Sequence, residues 1–284
     1  MNIGLVDVDG HNFPNLALMK LSAWHKSHGD KVAWGDMFGA YDKLYMSKVF
    51  TFTPDDLMVY DTKEIVKGGT GYNDYSWLPD DIEHIYPDYS LYGVDYAVGF
   101  TTRGCPNKCK WCVVPAKEGK IKAHAPITEF WNGQRDLVLL DNNILAHPFG
   151  LEQLEECARR EIHIDCNQGL DARLIANDVE IQKLLARNKW CRPITLACDQ
   201  KSQMEAVRLS VEGIRKATGR ATPFMVYTLL KDDMKDALER IYFLRAMKYV
   251  DPFAQPYRDF TASYAPPPMA KRHGEVGKYE SYVS

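Results

Sequence analysis

The apolar positions of this chain fall into an irregular opening stretch and a longer, strongly repetitive one. Ile3-Gly4-Leu5-Val6 is a short apolar run of the kind found in buried parallel strands, and it ends at Asp7-Val8-Asp9-Gly10. In the following FPNLALMKLSAWHKSHGD, Pro14 suits a first helical position. Leu18, Leu21 and either Ala17 or Trp24 fall at helical spacing, and Gly29 is a natural stop. Residues 31–34 then read as a second strand, which makes this the opening of a doubly wound α/β unit. Residues 57–69 carry one or two further candidate strands that end in Gly68-Gly69. The next stretch, GTGYNDYSWLPDDIEHIYPDYSLYG, is rich in Tyr, Asp, Pro and Gly, and reads as a connecting segment and not as a core element.

From Asp95 the pattern becomes regular. Strand-like apolar runs stand at 96–100, 137–140, 162–164, 194–198, 224–230 and 248–250. Helix-length stretches separate them at 148–160, 178–188, 201–217 and 232–247. The last opens with acids suited to a helix N-terminus and carries Leu238, Ile241, Tyr242 and Leu244 on an apolar side. Strand–helix alternation repeated about six times argues for a parallel sheet, open or partly closed like a barrel. The expected fold is α/β: a partial (β/α)6 barrel of parallel strands over 95–260, preceded by a small Rossmann-like region over 1–94. The tail, 261–284, holds three consecutive prolines and little apolar periodicity, so it is expected to be extended. In such folds ligands sit at the carboxyl ends of the strands.

Composition narrows the class. A net charge of −3 gives no overall basic footprint for nucleic acid. No run of 18 apolar residues occurs, which argues against a spanning helix and a membrane partner. MNIGLVDVDGH has no basic leader of the secretory kind. Seven cysteines, three of them clustered, suit a reducing cytoplasm better than a disulfide framework.

That cluster is TTRGCPNKCKWCVVP, which directly follows the first strand of the repeated series and spaces Cys105, Cys109 and Cys112 as C-x3-C-x2-C. Structural zinc takes four protein ligands, so a zinc site would need a fourth from Cys166, Cys198 or His124. Three unrelated buried thiols fit poorly with the polar neighbours Arg103, Asn107, Lys108 and Lys110, and a redox pair needs two thiols. What remains is a cubane iron–sulfur cluster on three thiolates, one iron being left without a protein ligand. Between Arg103 and Lys122 six basic residues face one acid, Glu118. They suit either attraction of an anionic substrate, such as a nucleotide or nucleic acid, or compensation of a negative cluster.

The cysteine motif in this setting resembles the radical S-adenosylmethionine superfamily. The resemblance covers roughly 95–260 and includes GFTTRGCPNKCKWC, LVLLDNNIL, NQGLDARLI and RIYFLRAMKYVDPF, phrases similar to a subgroup of small bacterial and phage proteins. It implies a 4Fe-4S cluster on Cys105, Cys109 and Cys112 whose open iron chelates S-adenosylmethionine. Reductive cleavage then gives a 5′-deoxyadenosyl radical that takes hydrogen from a substrate, with the electron coming from a donor such as flavodoxin or ferredoxin. Trp111 would pack near the adenine, or simply anchor the loop. Asp141, Asn142 and Asn143 stand where the family binds the methionine amino group, although D-N-N is also a good turn. Gln168, Asp171 and Arg173 would face the same mouth, unless Asp165 or Arg173 is spent in an ion pair. Asp199 stands where the family places an acid near the ribose hydroxyls, and would otherwise cap a helix. Thr228 replaces a family glycine. The N-terminal region resembles cobalamin-binding domains in Asp9, His11 and the later glycine pair, but Pro14 occupies that pattern's glycine position and argues against cobalamin. Methylthiotransferases are set aside because no cysteine precedes Cys105, and the scattered Cys157, Cys166, Cys191 and Cys198 read mostly as packed core thiols. The competing reading is a zinc-stabilised binding module on a degenerate α/β barrel.

Overall fold

The computed structural model describes residues 1–10, 13–231 and 233–257. Over the described residues the chain divides into two compact units, one built on Met1–Val98 with Thr128–Asn132, the other on Gly99–Ile127 and residues 133–257.

The first unit contains β1 (Asn2–Asp7), α1 (Leu16–Ser27), β2 (Lys31–Trp34), β3 (Ala40–Tyr41), β4 (Lys43–Ser47), β5 (Asp61–Thr62), β6 (Ile65–Gly68) and α2 (Asp80–Glu83). Its main sheet has the order β2-β1-β4-β6, with all three pairings parallel, and β3 pairs in parallel with β5. Alternation along β1 explains why it is central. Ile3 and Leu5 pack with Leu18, Leu21 and Ile82, while Val6 packs with Tyr41, Leu44 and Met46. The helix starts after Pro14: Asn15 is its cap, accepting from Leu18 N and donating to Ser47 Oγ at 2.8 Å.

One strand of this unit has no counterpart in the sequence reading, and one expectation needs correction. β4 lies inside the sheet, yet its sequence KLYMS alternates too weakly to stand out as a strand. The stretch expected as a mere connector supplies core: Ile82 is buried, and Leu78 and Leu91 pack against the same cluster. Gly69 adopts φ +101°, and a Cβ there would lie 2.5 Å from the Lys48 carbonyl, so the second glycine of the pair serves close packing under the segment after β4. Asp9 is held by that same segment, accepting from Val49 N, Phe50 N and Thr53 Oγ1. His11 and the tail 261–284 lie outside the described residues.

The second unit takes in β7 (Ala97–Gly99, in which the division falls), β8 (Thr102–Arg103), α3 (Val114–Lys117), β9 (Lys122–Ala123), β10 (Asp136–Leu139) and α4 (Pro148–Arg159). It continues through β11 (His163–Cys166), α5 (Ala172–Ile175), α6 (Val179–Arg187), β12 (Lys189–Trp190), β13 (Ile194–Ala197), α7 (Met204–Thr218), β14 (Phe224–Leu230), α8 (Met234–Arg245) and β15 (Val250–Pro256). One sheet has the order β12-β11-β10-β7 and another β13-β14-β15, while β8 and β9 form a small antiparallel pair. The β10–β11, β11–β12, β13–β14 and β14–β15 pairings are parallel. Just beyond β11, Leu170 forms an isolated parallel bridge with Leu196 of β13, so the two sheets meet there. Among the described residues the sheets do not close into a barrel. The class expected from the alternation is therefore observed: α/β with parallel sheets.

The helices match their apolar stripes. Leu154 and Cys157 of α4, Leu184 and Leu185 of α6, and Val207, Val211 and Ile214 of α7 are buried. In α8 the stripe differs from the expected one. Ala237, Arg240, Ile241 and Leu244 are buried, whereas Tyr242 is 51% exposed, because it stands a further 100° around the helix from Ile241. The last strand begins at Val250 and not at 248, after Tyr249 at φ +55°. Cys157, Cys166 and Cys198 are buried, and Cys191 is half-buried.

Candidate metal centre

The cysteine loop leaves β7 and is tied at once to the end of β10. Thr101 donates to Asp141 through its amide at 3.1 Å and its hydroxyl at 2.7 Å. Thr102 donates through its hydroxyl at 2.7 Å and also through its amide. Asp141 is 5% exposed, and burial pushes its carboxyl pKa up while these four hydrogen bonds work the other way. Asp141 thus pins the start of the loop, with both of its oxygens engaged.

The loop is closed from inside by Glu118. Its carboxylate accepts a fork from Arg103 at 3.0 and 3.1 Å, the Gly104 amide at 2.8 Å and Asn142 Nδ2 at 2.9 Å. Gly104 adopts φ +83°, and a Cβ there would lie 2.4 Å from the Lys120 carbonyl, so this turn accepts no side chain. Burial opposes ionisation of Glu118, but the Arg103 guanidinium and the donated hydrogen bonds outweigh it and hold the carboxyl below its ordinary value of 4.5. A carboxyl lowered by folding stabilises the native loop fully above the unfolded value and loses that effect as the pH falls through the folded one. Acid is therefore expected to loosen residues 103–119 below about pH 4.5. Limited proteolysis as a function of pH would check this, with Glu118→Gln lacking the acid step.

Cys105, Cys109 and Cys112 are all free and partly exposed on this loop. Burial raises the thiol pKa of Cys109 and of Cys112; the Cys112 and Cys105 sulfurs push Cys109 further up, and Cys105 does the same to Cys112. Arg173 is the cation that pulls Cys109 back down. Cys112 Sγ accepts from Val114 N at 3.4 Å, and Asn143 Nδ2 lies 3.8 Å from Cys105 Sγ.

The other expected residues gather at successive strand ends of this unit, with different engagements. Asn143 is 4% exposed; its Nδ2 also reaches Asp171 at 3.4 Å, and its Oδ1 is buried with no hydrogen-bond partner. Asp171 caps α5, accepts from Asn107 at 3.1 Å, and forms a fork with Arg173 at 2.8 and 2.6 Å. Burial resists its ionisation, but Arg173 and Asn107 win and lower its pKa. The ion-pair reading thus holds for both candidates: Arg173 with Asp171, and Asp165 with Arg192 at 3.4 Å. Asp199 is not a helix cap, since Gln200 and Gln203 form the capping box there. Its Oδ1 accepts from Leu229 N at 3.1 Å, and burial raises its pKa against the pull of Arg240 and Arg173. Gln168 is exposed, Trp111 half-buried, and Thr228 fully buried. Lys231 Nζ lies 5.7 Å from the Trp111 ring centroid and 5.5 Å from that of Tyr257.

Two residues of this site were not singled out as organisers in the sequence. Glu118 carried a signal, being the one acid in a basic stretch. Arg240 carried another, sitting on the α8 stripe between Ala237 and Leu244; it is 2% exposed and donates to the carbonyls of Cys198 at 2.7 Å and Leu229 at 3.0 Å.

Among the described residues no group of three or more His, Cys, Asp or Glu side chains is arranged to hold a metal ion. The candidate fourth zinc ligands Cys166 and Cys198 are both buried, at 5% and 0% exposure. What the loop does offer is a donor set: three free thiols on one pinned segment, beside a buried amide oxygen without a partner, the kind of donors an iron–sulfur cluster would take. No protein-family model matches this chain, and no curated protein matches it.

Proposed function

We propose that this chain is a radical S-adenosylmethionine enzyme in which Cys105, Cys109 and Cys112 hold a 4Fe-4S cluster. The observation that carries the reading is the loop itself. Three free thiols stand on one short segment that is tied to the end of the next strand by Asp141 and braced by Glu118. Support for a partial barrel comes from strand order: β7, β10 and β11 in one sheet, β13, β14 and β15 in the other, joined through Leu170 and Leu196. Its carboxyl ends are where a β/α fold carries its site.

When bound, the cluster supplies the electron that cleaves S-adenosylmethionine to methionine and a 5′-deoxyadenosyl radical, which takes hydrogen from the substrate. The chain's own groups supply position and charge. Asn143 Oδ1, buried and unpartnered, is an acceptor suited to the ammonium of the methionine moiety, while Asp141 sets its place by holding the loop. Asn142 is committed to Glu118 and steadies the same turn. Arg173 is half exposed beside the thiols, and the guanidinium that Asp171 holds would add positive charge near the carboxylate of the methionine moiety. Asp199, placed by Leu229 N, offers a second oxygen to hydroxyl donors such as those of a ribose, with Gln168 exposed on the neighbouring turn. Trp111 presents a ring for the adenine.

An external reductant is required, and a flavodoxin or ferredoxin fits that need. All seven cysteines are unpaired, in keeping with a reducing cytoplasm, and among the described residues no helix is long and apolar enough to cross a membrane.

The test is anaerobic reconstitution with iron and sulfide, then dithionite and S-adenosylmethionine with detection of 5′-deoxyadenosine. About four irons per chain and formation of that product are expected. Zinc at one per chain with no cleavage product would sink the proposal in favour of a structural site.

A further inference from the structure

The proposed enzyme needs an electron from outside, and the cysteine loop carries a surface suited to receive its carrier. Lys108 and Lys110 flank Cys109 directly in the chain, and both are exposed. Lys120 is exposed on the returning arm of the same loop, next to the point where Cys105 N donates to the Gly119 carbonyl at 3.2 Å. The antiparallel pairing of β8 with β9 holds the two arms together at their base. One loop thus displays three ammonium groups around its partly exposed thiols.

These charges are unspent. Among the described residues the side chains of Lys108, Lys110 and Lys120 make no ion pair and no hydrogen bond. Glu118, the one acid of residues 101–122, has only 4% of its side chain exposed and is committed to Arg103, so it does not answer them from the surface. Nor do the thiols claim them: the cation that pulls Cys109 down is Arg173, held by Asp171. The rim is positive although the whole chain carries −3, so the charge is a local feature.

A lysine rim attracts either a nucleic-acid strand or an acidic protein. A groove for single strands sets aromatic rings among its cations so that bases can stack. The one aromatic residue of 101–122, Trp111, is half-buried, and its ring is the one that serves the adenine in the reading above. Cations without a stacking platform fit an acidic protein surface. Electrostatic steering onto a small, weak interface also suits a carrier that must leave after each delivery.

We infer that Lys108, Lys110 and Lys120 form the docking surface for an acidic electron-carrier protein, which delivers its electron over the cysteine loop. The carrier is a low-potential flavin or iron–sulfur protein. It is oxidised by one electron as the centre on the loop is reduced by one, and the transfer makes and breaks no bond. The inference rests on the enzyme reading and adds where the reductant binds.

For the test, fluorescein-labelled flavodoxin and ferredoxin are each titrated with the reconstituted full chain and read by anisotropy over a salt series. Reduction of the chain by each photoreduced carrier is followed by stopped flow, with dithionite as the small reductant that needs no docking surface. One carrier should bind at low salt, and its binding should weaken steadily as salt is added. The triple variant Lys108→Gln/Lys110→Gln/Lys120→Gln should slow reduction by that carrier roughly tenfold. Its iron content and dithionite-driven 5′-deoxyadenosine formation should stay at the wild-type level. Lys216→Gln, exposed near the end of α7 that leads toward β14, leaves carrier binding unchanged. Should the triple variant lose iron, the three single variants are compared by carrier binding.

Which carrier binds distinguishes a flavin from an iron–sulfur source. No binding of either carrier, or undiminished binding in the lysine variants, would overturn the inference. Preference of the same lysines for labelled oligothymidylate over both carriers would overturn it too, by assigning the rim to a nucleic acid. Cleavage with dithionite but no carrier binding sinks this inference alone. No iron and no cleavage with dithionite sinks the enzyme reading beneath it.

Discussion

Cys109→Ala is expected to abolish iron retention and 5′-deoxyadenosine formation together while leaving the chain folded. The Cys109 side chain is partly exposed and among the described residues no hydrogen bond reaches its sulfur, so its loss removes the proposed ligand and little packing. The backbone turn survives, because Cys112 N donates to the Cys109 carbonyl, which alanine retains. On the proposed reading three thiolates would share a cluster, and two would not hold a cubane against loss of iron to solvent. Cys157→Ala provides the contrast. That thiol is 0% exposed, and burial pushes its pKa up to about 12, so it is a small apolar side chain in α4 and not a metal ligand. Its loss should cost stability and leave iron content unchanged. Iron per chain and circular dichroism on both variants would check the pair. A Cys109→Ala protein that keeps its iron would remove Cys109 from the ligand set.

Arg240→Ala is expected to destabilise the second unit by about 3–5 kcal/mol, the usual cost of taking one partner out of a buried charged arrangement. Arg240 is 2% exposed and joins three elements: its guanidinium donates to Cys198 O after β13, to Leu229 O in β14 and to Asp236 Oδ1 at 2.8 Å within α8. Without it the two carbonyls lose their donor. Asp199, whose pKa burial already raises, loses an attracting cation, moves further toward its neutral form and becomes a poorer acceptor. Arg240→Lys should fail nearly as badly, since an ammonium lacks the planar fork that serves several acceptors at once. Urea unfolding would read the stability, and 5′-deoxyadenosine formation the damage to the strand ends. A wild-type midpoint in Arg240→Ala would show that the buried guanidinium does not brace them.

Local pattern carried much of the second unit. Runs at 137–140, 194–198 and 224–230 became β10, β13 and β14 nearly residue for residue, because a strand buried on both faces must be almost wholly apolar. The helices after β10, β11 and β13 also match, since each carries a clear 3.6-residue stripe. Misses occurred where burial came from distant partners. β4 is a strand because β1 and β6 flank it, and Ile82 is core because Leu18 and Leu21 wait for it. Neither condition leaves a period in the local sequence.

The site divides in the same way. Spacing alone placed three thiols on one loop after a strand, and a loop that short keeps them together whatever the rest of the chain does. Tertiary structure decided which polar groups serve the thiols and which serve the scaffold. Asp141, expected as a ligand, holds Thr101 and Thr102, while its neighbour Asn143 keeps a buried oxygen unspent. Glu118 gathers Arg103 and Asn142, and Arg240 crosses from α8 to two strand ends. Such assignments depend on hydrogen-bond distances between residues far apart in the chain, and a periodicity holds no information about those. Chain neighbours determine which chemistry is present; the fold determines which of it is already satisfied and which is left for a ligand.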